Sequence, residues 1–133
     1  MTEEAPGGSP VPPLSVILCD DNVMLLEVLG EVVQAQPDLE VVGTARNDKQ
    51  ALQLANRYRP DLVILDVRFP GGGPSVARDI ARCSPASRIV AFSAYDDKGS
   101  VERMMDAGVC GYVLKGASNR ELIRALRQAA ASR

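Results

Sequence analysis

The chain has 133 residues, of which 46% are hydrophobic and 24% are charged, and its formal net charge is −2 at pH 7. This size and composition are typical of one globular domain whose core is large enough to fold without disulfides or a structural metal. The charge excludes a broad basic field, so we predict that this segment binds no nucleic acid. No apolar run reaches the roughly 18 residues of a membrane span, so we also predict no membrane partner.

The absence of histidine and the spacing of the cysteines exclude several kinds of catalytic and metal sites. Histidine is absent, which excludes Ser-His-Asp and Cys-His catalytic triads and zinc held by histidine. The three cysteines, Cys19, Cys83 and Cys110, show no C-x-x-C spacing. This pattern predicts free thiols in a reducing cytoplasm rather than a disulfide framework. We expect Cys83 and Cys110 to be small buried hydrophobic residues.

Residues 1–13 differ in composition from the rest of the chain. They contain four of the nine prolines, two adjacent glycines and two adjacent glutamates. Such a segment buries too little apolar surface to offset its ordering entropy, so we predict a flexible tail. It lacks the basic start and apolar stretch of a signal peptide. The folded domain is expected to span residues 14–133.

From Leu14 onward, five short apolar runs alternate with five longer amphipathic segments. The short runs are rich in β-branched residues and do not alternate with polar ones, which is typical of strands buried on both faces of a parallel sheet. In chain order, the predicted elements are strand 15–19, helix 23–35, strand 40–43, helix 48–58, strand 62–65, helix 74–83, strand 88–92, helix 97–107, strand 111–114 and helix 118–130.

Local signals mark several helix ends. Pro74 suits the first turn of a helix, Gly108 is a natural stop, and Ser118 with Glu121 has the spacing of a capping box. The order of elements predicts an α/β fold of the (βα)₅ type, a doubly wound, five-stranded parallel sheet with right-handed crossovers. Ligands of such sheets bind at the carboxyl ends of the strands near the topological switch point.

Polar residues follow four of the five predicted strands. Asp20 and Asp21 follow the first strand, Asp66 the third, Ser93 the fourth and Lys115 the fifth. Each has a simpler interpretation: Asp20, Asp21 or the following Asn22 would suit the cap of the first helix, a lone serine is usually a turn residue, and a lone lysine is usually solvated. A carboxylate at a buried strand end, as in Asp66, is costly unless it is compensated. The conjunction of all five favours a functional site.

The chemistry of these groups indicates phosphoryl transfer. Clustered carboxylates repel one another unless a cation joins them, and oxygen ligands at a solvated rim suit Mg²⁺, which also accepts phosphate oxygens. An aspartate carboxylate is a competent nucleophile that forms an acyl phosphate. Catalysis of that transfer is mainly positioning and charge neutralisation, which Mg²⁺ and Lys115 supply without a general base. The residues predict an aspartyl-phosphate site.

The chain resembles the response-regulator receiver domains of two-component signalling, which have the flavodoxin/CheY-like form of this fold. The resemblance covers residues 14 to 131 approximately and depends on five motifs in order. They are Cys19-Asp-Asp-Asn22, Pro60-Asp-Leu-Val-Ile-Leu-Asp66, Phe69-Pro70, Phe92-Ser-Ala94 and Gly111-Tyr-Val-Leu-Lys115.

The resemblance implies a role for each matching residue. Asp66 accepts a phosphoryl group from a phosphohistidine of a partner sensor histidine kinase. Asp20, Asp21, Asp66 and the backbone carbonyl of Arg68 hold Mg²⁺, and Lys115 pairs with a phosphoryl oxygen. Ser93 shifts towards the phosphoryl group, and Tyr112 changes rotamer with it. Arg68 and Tyr95 occupy positions that tune the lifetime of the acyl phosphate.

The segment from Gly111 to Leu126 is similar to receivers of the NarL/LuxR-type DNA-binding regulators. This similarity leaves two alternatives, a stand-alone receiver or the N-terminal part of a DNA-binding transcriptional regulator. The resemblance to receiver domains in general implies a homodimer on phosphorylation, formed through the fourth helix, fifth strand and fifth helix. Residues 69–74, Phe-Pro-Gly-Gly-Gly-Pro, depart from the family pattern and are one residue shorter. Three consecutive glycines predict a conformationally loose loop.

Two other functions are weighed against the phosphorylation switch. A receiver-like interaction module that works without phosphorylation would fail to take up phosphate in the presence of Mg²⁺. A phosphatase with an aspartate nucleophile would turn over external phosphate esters, but such enzymes usually need a second acid two residues after the nucleophile, where this chain has Arg68. We therefore predict a phosphoacceptor that assists its own phosphorylation and dephosphorylation and has no external substrate.

Overall fold

A computed structural model describes residues 11–132, which form strands and helices in strict alternation. In chain order they are β1 (Leu14–Cys19), α1 (Val23–Gln34), β2 (Leu39–Ala45), α2 (Asp48–Tyr58), β3 (Leu62–Leu65), α3 (Gly73–Cys83), β4 (Arg88–Ser93), α4 (Lys98–Asp106), β5 (Gly111–Leu114) and α5 (Asn119–Ala131). This order confirms the predicted (βα)₅ fold. The predicted tail, residues 1–13, lies outside the described residues over positions 1–10.

The strands form one parallel sheet in the order β2-β1-β3-β4-β5. The chain proceeds from β1 to β2 on one side and then returns to β3 on the other side of β1, so the topological switch point lies between β1 and β3. At this point Cys19 pairs with Leu65 in register. The loops that follow β1 and β3 therefore begin side by side at the carboxyl edge of the sheet.

Each central strand contributes alternate side chains to two separate cores. In β1, Ile17 and Cys19 face a core closed by α2, α3 and α4, whereas Val16 and Leu18 face a core closed by α1 and α5. All four side chains are at most 1% exposed. Burial on both faces explains why these strands are uninterrupted apolar runs in the sequence.

Three strands differ from their predicted bounds. β1 begins one residue earlier than predicted, at Leu14. β2 extends to Leu39–Ala45 because it is an edge strand with partly exposed positions, where polar residues such as Glu40 and Thr44 are tolerated. β4 includes Ser93, which is its last residue rather than the first residue after it.

The predicted helix-end signals are present in the structure. The Ser118 hydroxyl accepts a hydrogen bond from the Glu121 N–H at 3.1 Å, and the Glu121 carboxylate accepts one from the Ser118 N–H, which completes the capping box. Pro74 lies in the first turn of α3. Within residues 11–132, no helix combines the length and apolar character needed to cross a lipid bilayer.

The prediction that Cys83 and Cys110 are buried is wrong. Cys83 is half-buried and Cys110 is exposed, whereas Cys19 is buried in the sheet. The neighbour of Cys110, Val109, is buried, and residue type alone does not determine which of two adjacent apolar side chains faces inward.

Candidate functional site

Asp20 and Asp66 are held side by side by the backbone of the sheet. The ladder continues one residue beyond the strands, because the Asp66 N–H donates to the Cys19 carbonyl at 3.0 Å and the Asp20 N–H donates to the Ala45 carbonyl at 3.0 Å. Their side chains are buried, with exposures of 2% for Asp20 and 6% for Asp66. The rigid part of the fold thus fixes both carboxylates at the switch point.

Asp21 completes a cluster of three carboxylates at this edge. One carboxylate oxygen from each of Asp20, Asp21 and Asp66 lies within 4.8 Å of the other two, and Asp21 is the exposed member. Lys115, which follows β5, reaches the cluster from the side: its Nζ atom is 2.8 Å from Asp20 Oδ2 and 3.6 Å from Asp66 Oδ2. The structure therefore brings together four of the residues that the sequence placed at strand ends.

The helix-cap interpretation is confirmed for Asn22 and is wrong for Asp20 and Asp21. Asn22 is the N-cap of α1, and its side chain accepts a hydrogen bond from the Leu25 N–H at 3.1 Å. Asp20 Oδ1 accepts a hydrogen bond from the Asn22 N–H at 2.9 Å, which orients its carboxylate in the cluster. Asp20 and Asp21 are therefore available for a site.

The environment of Asp66 disfavours its negative charge. Burial is the largest cause that raises the pKa of this carboxyl group, and the neighbouring Asp20 charge adds to it, with a smaller contribution from Asp21. The Lys115 ammonium and the Arg68 N–H, which donates to Asp66 Oδ1 at 3.3 Å, act in the opposite direction. Since repulsion and burial prevail, an additional cation at the cluster would stabilise the ionised form.

The donor set fits a hard divalent cation. Asp20 Oδ2 is buried and has no hydrogen-bond partner among residues 11–132, although Lys115 Nζ lies at ion-pair distance from it. An ion pair without a well-aligned hydrogen bond leaves a lone pair of this oxygen free. Three carboxylates at an edge open to water match the oxygen ligands and retained waters that Mg²⁺ prefers. Asp20, Asp21 and Asp66 are the side chains that would hold it.

Ser93 and Lys115 are adjacent at the ends of β4 and β5. The Lys115 N–H donates to the Ser93 carbonyl at 2.8 Å, which continues the ladder between the two strands. Ser93 is fully buried, and its Oγ atom accepts a hydrogen bond from the Tyr95 N–H at 3.0 Å. A buried hydroxyl that already has a donor still has its own proton to donate to an anionic oxygen.

Tyr112, Tyr95 and Arg68 form a connected group beside the cluster. The hydroxyl of the half-buried Tyr112 on β5 donates a hydrogen bond to the backbone carbonyl of Tyr95. The guanidinium carbon of Arg68 lies 4.0 Å from the centroid of the Tyr95 ring. The sequence singled out each of these residues, but nothing in it predicted that Arg68 and Tyr95 stack, because the contact joins two loops whose conformations have no simple sequence signal.

The backbone conformation of the loop after Asp66 depends on its glycines, whereas the looseness of this loop stays a prediction. Gly71 and Gly72 have φ values of +97° and +90°, which side chains rarely adopt. At Gly73, a Cβ atom would lie 2.4 Å from the Val67 carbonyl oxygen. Glycine is therefore required at each position by the backbone conformation or by the close packing of the start of α3 against the loop.

The chain belongs to the response regulator receiver domain family, whose sequence profile matches residues 16–127. Nitrate/nitrite response regulator protein NarL of Escherichia coli strain K12 is 36% identical over 120 residues, which are 90% of this chain and 56% of that protein. The uncharacterized transcriptional regulatory protein YxjL of Bacillus subtilis strain 168 is 35% identical over 118 residues, which are 88% of this chain and 54% of that protein. The chain thus spans about half the length of the curated relatives it matches.

A solved structure has the same architecture. The signal receiver domain of NarL from Mycobacterium tuberculosis superposes with a TM-score of 0.87 at 27% identity, and the match covers 92% of this chain and all of that chain. The chain is therefore a receiver domain of the NarL/LuxR type rather than a classical enzyme. Phosphorylation-based switching is the function of this family, whose members partner with histidine kinases and bind Mg²⁺ at an aspartate cluster.

Proposed function

We propose that Asp66 of this chain accepts a phosphoryl group from a phosphohistidine of a sensor histidine kinase in the cytoplasm, and that the acyl phosphate switches the domain, residues 14–133. The observation that carries the proposal is the placement of Asp66: a buried carboxylate at the switch point of the sheet, with Lys115 Nζ 3.6 Å away and two further carboxylates within 4.8 Å. Asp20 lies closer to Lys115, at 2.8 Å, and Asp21 is exposed rather than buried.

The reaction forms a bond between an Asp66 carboxylate oxygen and phosphorus while the bond from phosphorus to the histidine nitrogen breaks. The freed imidazole takes a proton from solvent. The chain's task is to position Asp66 and to neutralise the charge of the phosphoryl oxygens. Asp20, Asp21, Asp66 and the Arg68 carbonyl would hold Mg²⁺, which would neutralise part of the phosphoryl charge. The Lys115 ammonium pairs with one phosphoryl oxygen, and the Ser93 hydroxyl donates to another.

Arg68 and Tyr95 bear on the lifetime of the acyl phosphate. Hydrolysis needs a water molecule in line with the bond that breaks, and Arg68 and Tyr95 stack at the side of the site. We propose that this pair limits the approach of water and so tunes dephosphorylation. The chain then assists its own phosphorylation and dephosphorylation and turns over no external ester.

The surface formed by α4, β5 and α5 supports a homodimer that forms on phosphorylation. Met105 on α4 and Leu114 on β5 are 46% and 39% exposed on this surface, and exposed apolar side chains favour association. Tyr112 lies on the same strand, so a change in its position alters this surface. The relatives named above include a transcriptional regulator, which supports control of transcription as the output.

The acceptor assignment is tested by the intact mass of the protein after incubation with acetyl phosphate and Mg²⁺. The wild type should gain one phosphoryl mass, and Asp66→Asn should gain none. Asp79→Asn is the matched control, because Asp79 is a surface aspartate on α3 that pairs with Arg82; it should behave like the wild type. An equal gain by Asp66→Asn would contradict the assignment.

The dimer is tested by sedimentation velocity with and without beryllofluoride and Mg²⁺. The wild type should shift towards a dimer when beryllofluoride is added, and Leu114→Asn should take up beryllofluoride but stay a monomer. A Leu114→Asn variant that dimerises as well as the wild type would place the interface elsewhere.

A further inference from the structure

Tyr95 is contacted by residues from three different parts of the fold. Its backbone N–H donates to Ser93 Oγ at 3.0 Å, its backbone carbonyl accepts from the Tyr112 hydroxyl, and its ring lies against the Arg68 guanidinium at 4.0 Å. Yet its side chain is 44% exposed, so burial in the core does not hold the ring in place. The Arg68 guanidinium is a contact that can hold the exposed ring.

Arg68 is in turn connected to the phosphoacceptor. Its backbone N–H donates to Asp66 Oδ1 at 3.3 Å, and it lies two residues after Asp66 in the loop that leads to α3. The stack therefore joins the loop after β3 to the loop after β4. A change at the Asp66 carboxylate that moves the backbone of Arg68 also moves the Arg68 guanidinium, which contacts the Tyr95 ring.

We propose that Tyr95, held by Arg68, is a positioning residue for Tyr112, and that it gives Asp66 a second connection to Tyr112 beside the one through Ser93. The inference deepens the proposed function and rests on it for the assignment of Asp66 as acceptor. The stack keeps the Tyr95 carbonyl where the Tyr112 hydroxyl reaches it. The hydrogen-bonded position of Tyr112 is thus stabilised by a contact made at the rim of the acceptor site.

The two connections use different parts of Tyr95. The route through Ser93 uses the backbone N–H, which every residue except proline has at this position. The second route uses the aromatic ring, because only a ring stacks on the guanidinium. Substitutions that remove the ring therefore remove the second route and leave the first intact.

The experiment compares Tyr95→Ala, Arg68→Ala and the double variant with the wild type. Tyr95→Phe keeps the ring and is the conservative variant. Arg57→Ala is the matched control, since Arg57 lies over the Tyr58 ring at 5.2 Å on α2. The Tyr112 ring resonances are followed by NMR with labelled tyrosine, with and without beryllofluoride and Mg²⁺, and phosphoryl uptake from acetyl phosphate is measured by mass.

Removal of the stack should lower the population of hydrogen-bonded Tyr112 about two- to fivefold, as expected for loss of an exposed cation–π contact. Tyr95→Ala and Arg68→Ala should give the same loss, and the double variant should add little to either. Tyr95→Phe and Arg57→Ala should leave the Tyr112 resonances unchanged. Unchanged backbone spectra outside the two loops show that the variants are folded.

Two results overturn the inference. If Tyr95→Ala takes up phosphoryl groups and its Tyr112 resonances match those of the wild type in both states, the connection runs through Ser93 alone. If Tyr95→Phe behaves like Tyr95→Ala, the hydroxyl rather than the stack positions the loop. Failure of the wild type itself to take up phosphate is a different result, since it contradicts the proposed function and not the connection between Tyr95 and Tyr112.

Discussion

Substitution of Gly73 by alanine is expected to destabilise the domain and distort the loop that follows Asp66. A Cβ atom at this position would lie 2.4 Å from the Val67 carbonyl oxygen and 2.9 Å from the Asp66 carbonyl oxygen. Ordinary contacts of this kind begin at 3.4 Å. All the close atoms belong to the backbone, so no flexible side chain can move away. Such overpacking costs about 1–3 kcal/mol in unfolding free energy.

Gly30→Ala is the matched control for this prediction. Gly30 lies inside α1, and a Cβ atom there meets nothing within 4 Å. The same substitution should therefore stabilise the domain by about 0.5–1 kcal/mol, because alanine loses less backbone entropy than glycine in a helix. Urea unfolding measures both variants, and the two changes in free energy should have opposite signs. Gly73→Ala should also bind Mg²⁺ more weakly, since the displaced loop carries the Arg68 carbonyl. A Gly73→Ala variant as stable as Gly30→Ala would refute the steric reasoning.

Three further predictions concern charge and reactivity. Lys115→Met leaves the carboxylate cluster without its ammonium, so urea unfolding should show that the unfolding free energy falls by about 1–3 kcal/mol. Added Mg²⁺ should restore part of this loss. A variant as stable as the wild type without Mg²⁺ would contradict the prediction. Hydrogen bonds from Arg127 lower the pKa of Asp38 below its ordinary 3.8. The stabilisation by this half-exposed pair should be small, present at neutral pH and lost as the pH falls through the folded-state pKa, so wild type and Asp38→Asn should converge in strong acid. Burial raises the pKa of the Cys19 thiol to about 12. Iodoacetamide should therefore modify the exposed Cys110 in the native protein, whereas Cys19 should react only after unfolding. Labelling of Cys19 in the native protein would contradict its burial.

The fold follows from the sequence because its strands are buried on both faces. Every residue of the strand Leu62–Leu65 is buried, so all its side chains are apolar. The resulting uninterrupted apolar run identifies the strand in the sequence. The edge strand β2 has exposed positions at Glu40 and Thr44, next to its buried end residues Leu39 and Ala45. These polar residues interrupt the apolar run, so the full length of the strand is not visible in the sequence. The capping box of α5 is similarly local, since both partners lie within four residues of each other.

The carboxylate cluster was predictable for a topological reason. In a parallel sheet all strands end at one edge, so residues that follow different strands meet there. The proximity of Asp20, Asp66 and Lys115 therefore required only the order of the strands. Their roles in phosphoryl transfer are proposals that depend on the family and on the chemistry of the cluster.

Two features of the loops could not be predicted from the sequence. Three glycines in a row indicate conformational freedom, but they do not reveal that Gly73 packs so closely against the Val67 carbonyl that a Cβ atom has no room. The stack of Arg68 on Tyr95 depends on how two separate loops leave the sheet. Both features arise from contacts between segments that are distant in sequence, which local patterns do not encode.

The most direct test of Asp66 as acceptor needs no substitution. The wild-type protein is incubated with acetyl phosphate and Mg²⁺, the acyl phosphate is reduced with borohydride, and the modified residue is located by peptide mass mapping. Reduction converts a phosphorylated aspartate into homoserine, so the account predicts homoserine at position 66 and unmodified Asp20 and Asp21. Homoserine at either of those aspartates, or a stable phosphate on Ser93, would contradict it.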